Sequence, residues 1–433
     1  MKKIVLSLVA LCLALPLFAQ KEYGLRFSSL INDELSLENA IRLGLENNSD
    51  FLLAQQEIII AEQKVKQAKF LFLPQIALQG TATWYDLDYP MVLPESVANR
   101  YIPSNDSQTA GDKHQFFGVG ISATQYLYSG GRFRGALKAA QANLKQAQSK
   151  YEAVKNAVVL DIKKSFFSLQ YAQYNLTLAQ AVQQKADRYF KGLKLSSWDK
   201  IKAQYLLSVL YSEKNTAQKD LQKAQLAMLV SLNKELNAPI KVKGEFKPAT
   251  LNLDLAYLNL WSLEFRPELK SAIYALELDS LAIDLALSRR YPDIILTGSY
   301  EQLGVEDLND VNKQISLAVR LPIPYNVATQ TAQRKAEQKQ SSLRRAAIED
   351  KIRVQVAESY ANMVFWQNEA TARQATWQEV QKLLSQAENS SRADLSALEA
   401  LHAYYQTGRD YYEGIRQNLS SKASLEWAIG RDL

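Results

Sequence analysis

The chain is nearly devoid of the residues that build thiol, metal or triad chemistry, with one cysteine, Cys12, and two histidines, His114 and His402, in 433 residues. Without a His or Cys cluster there is no ligand set at metal spacing and no nucleophile with an imidazole base. Both histidines therefore read as surface residues. Cys12 sits inside an apolar N-terminal run and the preceding Leu11 is a poor lipobox residue, which argues against a lipid anchor or a reactive thiol. Glycine-rich phosphate loops are lacking as well, since Gly118-Val119-Gly120 falls in an alternating segment and opens no helix. No catalytic, cofactor-binding or metal-binding residue is assigned, and the chain does not read as an enzyme.

An excess of positive charge is also lacking. The formal net charge of +6 drops to +4 without Lys2 and Lys3, too dilute for a phosphate-binding stripe, so nucleic acid is not an expected partner. Proline and glycine number only 11 and 16, which leaves room for long helices. Met1-Lys2-Lys3 followed by the apolar run from Ile4 and the small Ala19 reads as an export signal over residues 1–19. Beyond it no run reaches the roughly 18 apolar residues that a spanning helix needs, so a membrane crossing would have to be made by strands.

What the chain does have is an internal duplication. An offset of 218 residues carries Asn48-Ser49-Asp50-Phe51 to Arg266-Pro267-Glu268-Leu269, Pro74 to Pro292, Ile76 to Ile294 and Gly80 to Gly298. The later part of each copy repeats too, with Gln125-Tyr126-Leu127-Tyr128 answered by Arg320-Leu321-Pro322-Ile323. Each copy reads helix, strand, loop, strand, long helical hairpin. The first copy spans residues 20–236 and the second 263–433. Residues 237–262 lie between them, where Ile240-Lys241-Val242-Lys243-Gly244 alternates and suggests a small mixed belt.

Four segments alternate with period two, at about 75–85, 115–128, 292–301 and 313–322. In the first, Ile76, Leu78, Gly80 and Ala82 share one face while Gln75, Gln79, Thr81 and Thr83 share the other. Each has about the ten residues of a tilted membrane strand, with aromatics at the ends: Trp84, Tyr85, Phe116 and Tyr300 at one level, Tyr126, Tyr128, Tyr291 and Tyr325 at the other. One chain supplies too few strands for an outer-membrane barrel, which needs roughly eight or more. Several copies must share it, and a conducting duct favours three, because a barrel of about eight strands is filled by its own side chains.

From Arg132 to about Phe190 an Ala-, Gln- and Lys-rich helix runs without proline, and Leu137, Ala140, Leu144, Ala147, Tyr151, Val154 and Val158 form a coiled-coil seam. At about 1.5 Å per residue such a helix is on the order of 90 Å long. The hairpin 132–236 turns near 191–199 and the hairpin 328–430 near 389–397. Ser197 and Asp394 are suited to cap the returning helices.

Leu35-Ser36-Leu37-Glu38-Asn39-Ala40-Ile41, Phe72-Leu73-Pro74-Gln75-Ile76, Gln125-Tyr126-Leu127-Tyr128-Ser129-Gly130-Gly131-Arg132 and Arg266-Pro267-Glu268-Leu269, in that order and spacing, resemble the TolC-like outer membrane efflux protein family. The resemblance covers essentially all of the chain after residue 19. It implies an α-helical barrel of long coiled-coil hairpins plus four strands contributed to a shared outer-membrane β-barrel, closed as a homotrimer with its helical part in the periplasm. It further implies a passive exit duct in a tripartite efflux or type I secretion system, working with a periplasmic adaptor and an inner-membrane pump of RND or ABC type, and requiring no cofactor. Lys191-Gly192-Leu193, with Ser197 and Asp199 after it, resembles the family's adaptor-contact tip, with Lys191 in place of valine. In Arg392-Ala393-Asp394-Leu395-Ser396-Ala397-Leu398-Glu399, Arg392 matches a basic residue that holds the closed tunnel entrance. Glu399 matches one acidic entrance position, Ser396 stands at the other, and Asp394 adds a carboxylate. The alternative is a soluble periplasmic coiled-coil interaction protein whose strands merely cap helices. Polar residues on both strand faces would favour it, and the faces are not alike.

Overall fold

The copies of the duplication are legible in the geometry of their joints. The structure, a computed structural model, describes residues 34–85, 114–192, 196–236, 238–304, 308, 310–390 and 395–433. Helices α1 (Leu37–Asn47) and α2 (Ser49–Phe70) lead into β1 (Gln75–Tyr85) and β2 (His114–Ser129). Helices α3 (Arg132–Gly192) and α4 (Ser197–Ser231) make the first hairpin. The second copy runs α5 (Leu255–Phe265), α6 (Pro267–Ser288), β3 (Asp293–Gly304), β4 (Asp310–Arg320), α7 (Val327–Ser390) and α8 (Leu395–Ile429). Two compact units divide the chain, one of Met1–Ser49, Val158–Thr250 and Trp366–Ala423, the other of Asp50–Ala157, Leu251–Phe365 and Ser424–Leu433.

The strands form one antiparallel sheet in the order β1-β2-β3-β4. Its register aligns the alternation across all four: Ile76 faces Ala123, Ala123 faces Gly298 and Gly298 faces Ile315, while Leu78, Ile121 and Tyr300 make the next row. Because side chains at successive strand positions point to opposite faces, this register gathers the apolar set on one side. That side is bare. Ile315 is 85% exposed and Leu78 70%, and Ile76, Leu317 and Val319 are also exposed. β3 and β4 run on to Gly304 and back from Asp310, shortening the connection that the sequence placed at 302–312. The register slips between Tyr126 and Tyr128, where the β2 ladder carries an extra residue. After the bulge Tyr128 stands exposed beside Ile294, whereas Tyr126 pairs with Ile295 and packs edge-on against Phe133 at 5.3 Å. Tyr126 thus leaves the exposed aromatic set in which the sequence grouped it. The side chains of Trp84, Tyr85 and Phe116 lie outside the described residues.

The turn out of β2 depends on glycine. Gly130 and Gly131 have φ of +59° and +81°, and a Cβ on Gly130 would lie 2.8 Å from the Ser288 carbonyl oxygen. Arg132, the first residue of α3, then pairs with Asp293, the first residue of β3. Between the copies, residues 238–254 form no strand; Leu35 and Val242 make one parallel bridge, tied by Leu35 N–H to Lys241 O at 2.8 Å and Lys243 N–H to Leu35 O at 3.0 Å.

Each returning helix ends on a residue in the left-handed region, Asn233 (φ 49°) after α4 and Gly430 (φ 74°) after α8. In both, a six-to-one bond closes the end, Lys234 N–H to Leu229 O at 3.0 Å and Arg431 N–H to Glu426 O at 3.1 Å. In the first unit Asn233 Nδ2 donates to Asn47 O at 2.9 Å. In the second, Gly430 lies so close to the α5–α6 joint that a Cβ would be 3.0 Å from the Phe265 carbonyl. There Arg266, 3% exposed, donates to Trp427 O at 3.0 Å and Gln355 Oε1 at 2.9 Å, and its guanidinium lies 4.2 Å from the Trp427 ring centroid. Its Nε is 3.0 Å from Glu268 Oε2, an ion pair by distance, although the N–H is not aimed for a hydrogen bond. Burial pulls this guanidinium's pKa down and Glu268 pulls it back up; it stays charged. Arg266→Ala deletes the buried cation and leaves the Trp427 carbonyl, Gln355 and Glu268 without their partner, which is expected to cost about 3 kcal/mol or more. Thermal unfolding in detergent checks this, with Arg266→Lys recovering only part because it lacks the planar fork.

Candidate functional site

The hairpin ends were the sequence-based site, and both lie in the unit that contains Val158–Thr250 and Trp366–Ala423. A core forms there from one stripe of each of four helices: Leu178, Val182 and Ala186 of α3, Ala203, Leu207 and Leu210 of α4, Trp377 of α7, and Leu398, Leu401 and Tyr405 of α8. Alanines at 186 and 203 bring backbones close, and Trp377 fills the space, with Tyr404 at 4.6 Å between ring centroids.

Of the expected tip residues, Lys191 is exposed in the last turn of α3 and Gly192 ends that helix, while Leu193 lies outside the described residues. Ser197 and Asp199 occupy the first turn of α4, but Ser196, not Ser197, is its N-cap. Ser196 Oγ accepts from Asp199 N–H at 3.2 Å and donates to Asp199 Oδ2 at 2.7 Å. A cap hydroxyl reaches the backbone N–H three residues on, a spacing at which Ser196 finds Asp199, whose carboxylate also accepts from the Ser196 hydroxyl. Arg392 and Asp394 lie outside the described residues, so capping by Asp394 and the salt bridge expected of Arg392 fall there too. Ser396 and Glu399 are exposed in the first turns of α8, beside the buried Leu398.

Three features escaped the sequence reading. Glu388, just before the second tip, accepts from Lys185 Nζ at 2.8 Å and Tyr189 OH at 3.0 Å, joining α7 to α3. The Lys185 ammonium, the Tyr189 hydroxyl and other cations hold the Glu388 carboxyl below its ordinary pKa. Burial, then Glu388, pushes the Tyr189 hydroxyl up. His402, read as a surface residue, instead meets Glu213 Oε1 at 3.2 Å, and Gln406 donates to the same oxygen, joining α8 to α4. Burial pushes the Glu213 carboxyl up, against the pull of His402. Finally, Trp198, Ile201 and Tyr205 stand exposed along one face of α4, Trp198 at 79%, opposite the buried stripe of Ala203, Leu207 and Leu210. The i, i+3, i+7 spacing of that apolar trio was readable; the cross-helix pairs were not.

The sheet supplies the other face of interest. Opposite the apolar side run the rows Gln75, Thr124, Thr297, Ser316 and Gln79, Gly120, Glu301, Asn312. Glu301, 9% exposed, accepts from Gln79 Nε2 at 3.0 Å and Asn312 Nδ2 at 3.2 Å. Gly120 makes room for it, since a Cβ there would be 2.8 Å from Glu301 Cγ. A carboxylate lodged among amides and small polar residues makes this the polar side of the sheet. Among the described residues no helix is long and apolar enough to cross a membrane, and no group of three or more His, Cys, Asp or Glu is placed to hold a metal ion.

Long hairpins joined to a sheet with one apolar and one polar face define a class, and the comparisons agree with it. Residues 40–194 match the family model described as outer membrane efflux protein. The fold matches solved outer membrane proteins: the CmeC channel of Campylobacter jejuni (16% identity, 91% of this chain and 85% of that one, TM-score 0.74), the MtrE channel of Neisseria gonorrhoeae in its open state (17%, 91% and 89%, 0.73) and the outer membrane protein VceC of Vibrio cholerae (17%, 92% and 96%, 0.71). A comparison with curated proteins finds no match. The resemblance to the TolC-like outer membrane efflux protein family is borne out, and the fold is that of its channels.

Because a carboxyl held below its ordinary pKa contributes above that range, the Glu388 clasp is made at neutral pH and lost as pH falls through the depressed folded-state value. Glu388→Gln should speed amide exchange in the last turns of α3 by roughly two- to fivefold at neutral pH, as expected for an exposed pair. Hydrogen exchange at matched intrinsic rates checks this, with the difference from the parent protein disappearing in acid.

Proposed function

We propose that this protein is the outer-membrane exit duct of a tripartite efflux or secretion system, through which substrate passes untransformed. The observation that carries the reading is the bare apolar face of the sheet, with Leu78, Ile315 and Val319 exposed and a polar opposite face centred on Glu301. A soluble interaction protein would have to cover that face. In hydrocarbon the apolar side chains of the face are solvated by lipid, with Lys313 beside the Tyr300 ring toward one end, and the backbone N–H and C=O groups on the open edges of β1 and β4 are left without partners. Further copies supply partners for those edges. Three copies provide the smallest closed barrel with an aqueous lumen, so the reading includes a homotrimer.

The hairpin tips then face the periplasm and dock on an adaptor. Lys191, Gly192, Leu193, Ser197 and Asp199 carry over from the sequence as contacts, and the exposed trio Trp198, Ile201 and Tyr205 adds an apolar surface beside them. Arg392, Asp394, Ser396 and Glu399 remain assigned to the tunnel entrance. The Lys185–Glu388–Tyr189 clasp sits next to that entrance in the chain and, repeated in each copy, holds it narrow. A pump of RND or ABC type in the inner membrane supplies the energy through the adaptor.

A photocrosslinking residue replacing Leu193, activated in living cells, tests the assignment. Capture of a periplasmic adaptor is the expected result, reduced when Trp198→Ser and Ile201→Ser are combined. Recovery of the chain in the soluble periplasmic fraction, crosslinked only to itself, would sink it.

A further inference from the structure

A cavity of about 640 Å³ opens where the strands hand over to the helices of the second unit. Its lining is part apolar, from Leu71, Phe133, Leu285 and Ala286 (the floor), and part cationic, from Arg132, Arg289 and Arg334 (the rim). An apolar lining that also carries guanidinium groups suits an organic anion with a hydrocarbon body.

The charge balance of the rim matters. Arg132 is matched by Asp293, and Arg334 Nη1 pairs with Glu337 at 2.8 Å, where Arg334 and Gln333 hold the Glu337 carboxyl below its ordinary pKa. Among the described residues Arg289 is met by a neutral acceptor alone, Gln330 Oε1 at 2.9 Å. One positive charge per chain is thus left uncompensated on the rim. The cavity also has a side. Arg132 pairs with Asp293, which shares the β3 face of Thr297 and Glu301, and Phe133 of the floor packs on Tyr126, which pairs with Ile295 on that same face. The cavity therefore lies below the polar face of the sheet, away from the bare face that meets lipid.

We infer that this cavity is a transit site for amphiphilic organic anions (sulfonates, carboxylates or phosphate monoesters with an apolar body) on the inner side of the duct, held by Arg289 with Arg334. The inference rests on the duct reading, which makes the polar face the lumen. It assigns a substrate class to a passage whose tip residues specify none. Anionic headgroups of membrane phospholipid share the chemistry but approach from the opposite face.

The test uses the full-length protein in phosphatidylcholine nanodiscs, with labelled naphthalenesulfonate as probe and the uncharged naphthalenesulfonamide as control, read by equilibrium dialysis. The expected result is saturable binding of the sulfonate, about tenfold weaker for the sulfonamide and about tenfold weaker for Arg289→Gln or Arg334→Gln, as the loss of one charge-assisted contact requires. Arg289→Lys should stay close to the parent, since it keeps the charge. Equal binding of sulfonate and sulfonamide, or unchanged binding in both Arg289→Gln and Arg334→Gln, overturns the inference while leaving the duct intact. Loss of sulfonate binding when phosphatidylglycerol replaces phosphatidylcholine also overturns it, because the cavity then faces lipid. A chain that does not insert into nanodiscs at all overturns both readings.

Discussion

Backbone groups on the edges of a four-stranded sheet constrain everything else in this molecule. A sheet with a bare apolar face is at home in hydrocarbon, yet its two edge strands present N–H and C=O groups that hydrocarbon cannot satisfy, at several kcal/mol each. Inside one chain there is no remedy, because β1 and β4 are the ends of the sheet and no other described strand is available to pair with them. The proposed closure through other copies would meet the requirement. It also explains the register, which keeps Ile76, Ala123, Gly298 and Ile315 in one row across both halves of the duplication. A shift of one residue at the β2–β3 junction would put Glu301 against lipid.

The duplication is a physical device as well as a historical record. Each copy ends in a helix whose last residue adopts positive φ and turns the chain back against the joint between its two short helices. The copies then diverge in how the joint is fixed. In the first, Asn233 reaches the Asn47 carbonyl directly. In the second, glycine at 430 lets the chain lie against the Phe265–Arg266 backbone, and the buried Arg266 guanidinium ties the joint to α7 and α8. Buried ion pairs contribute little net stability but make alternatives costly, so Arg266 is best understood as specifying the joint.

Much of this was legible in the sequence where the signal is local. Alternation in β1 through β4 depends only on the pleat, and proline-free Ala-rich stretches gave the long helices. The bulge between Tyr126 and Tyr128 has no compositional mark; it carries Tyr128 to the exposed face while Tyr126 stays on the face of Thr124 and packs on Phe133, so the two were grouped together although they stand on opposite faces. Arg-Pro-Glu-Leu was visible as a motif, but its partners Gln355 and Trp427 lie far along the chain. The same distance hid the Lys185–Glu388 clasp, whose members are 203 residues apart, and the partner of His402. A cap displaced by one residue, from Ser197 to Ser196, shows how narrow the local rules are when two candidates adjoin.

The measurement that bears most directly on the account is lipid contact along β4. Single cysteines at Ile315, Ser316, Leu317 and Ala318, carried in the Cys12→Ser background and labelled with an environment-sensitive fluorophore, are compared in vesicles with and without brominated acyl chains. Strong quenching at 315 and 317 with little at 316 and 318 is the predicted result. Uniform quenching, or none at any position, would contradict a sheet with lipid on one face and a lumen on the other.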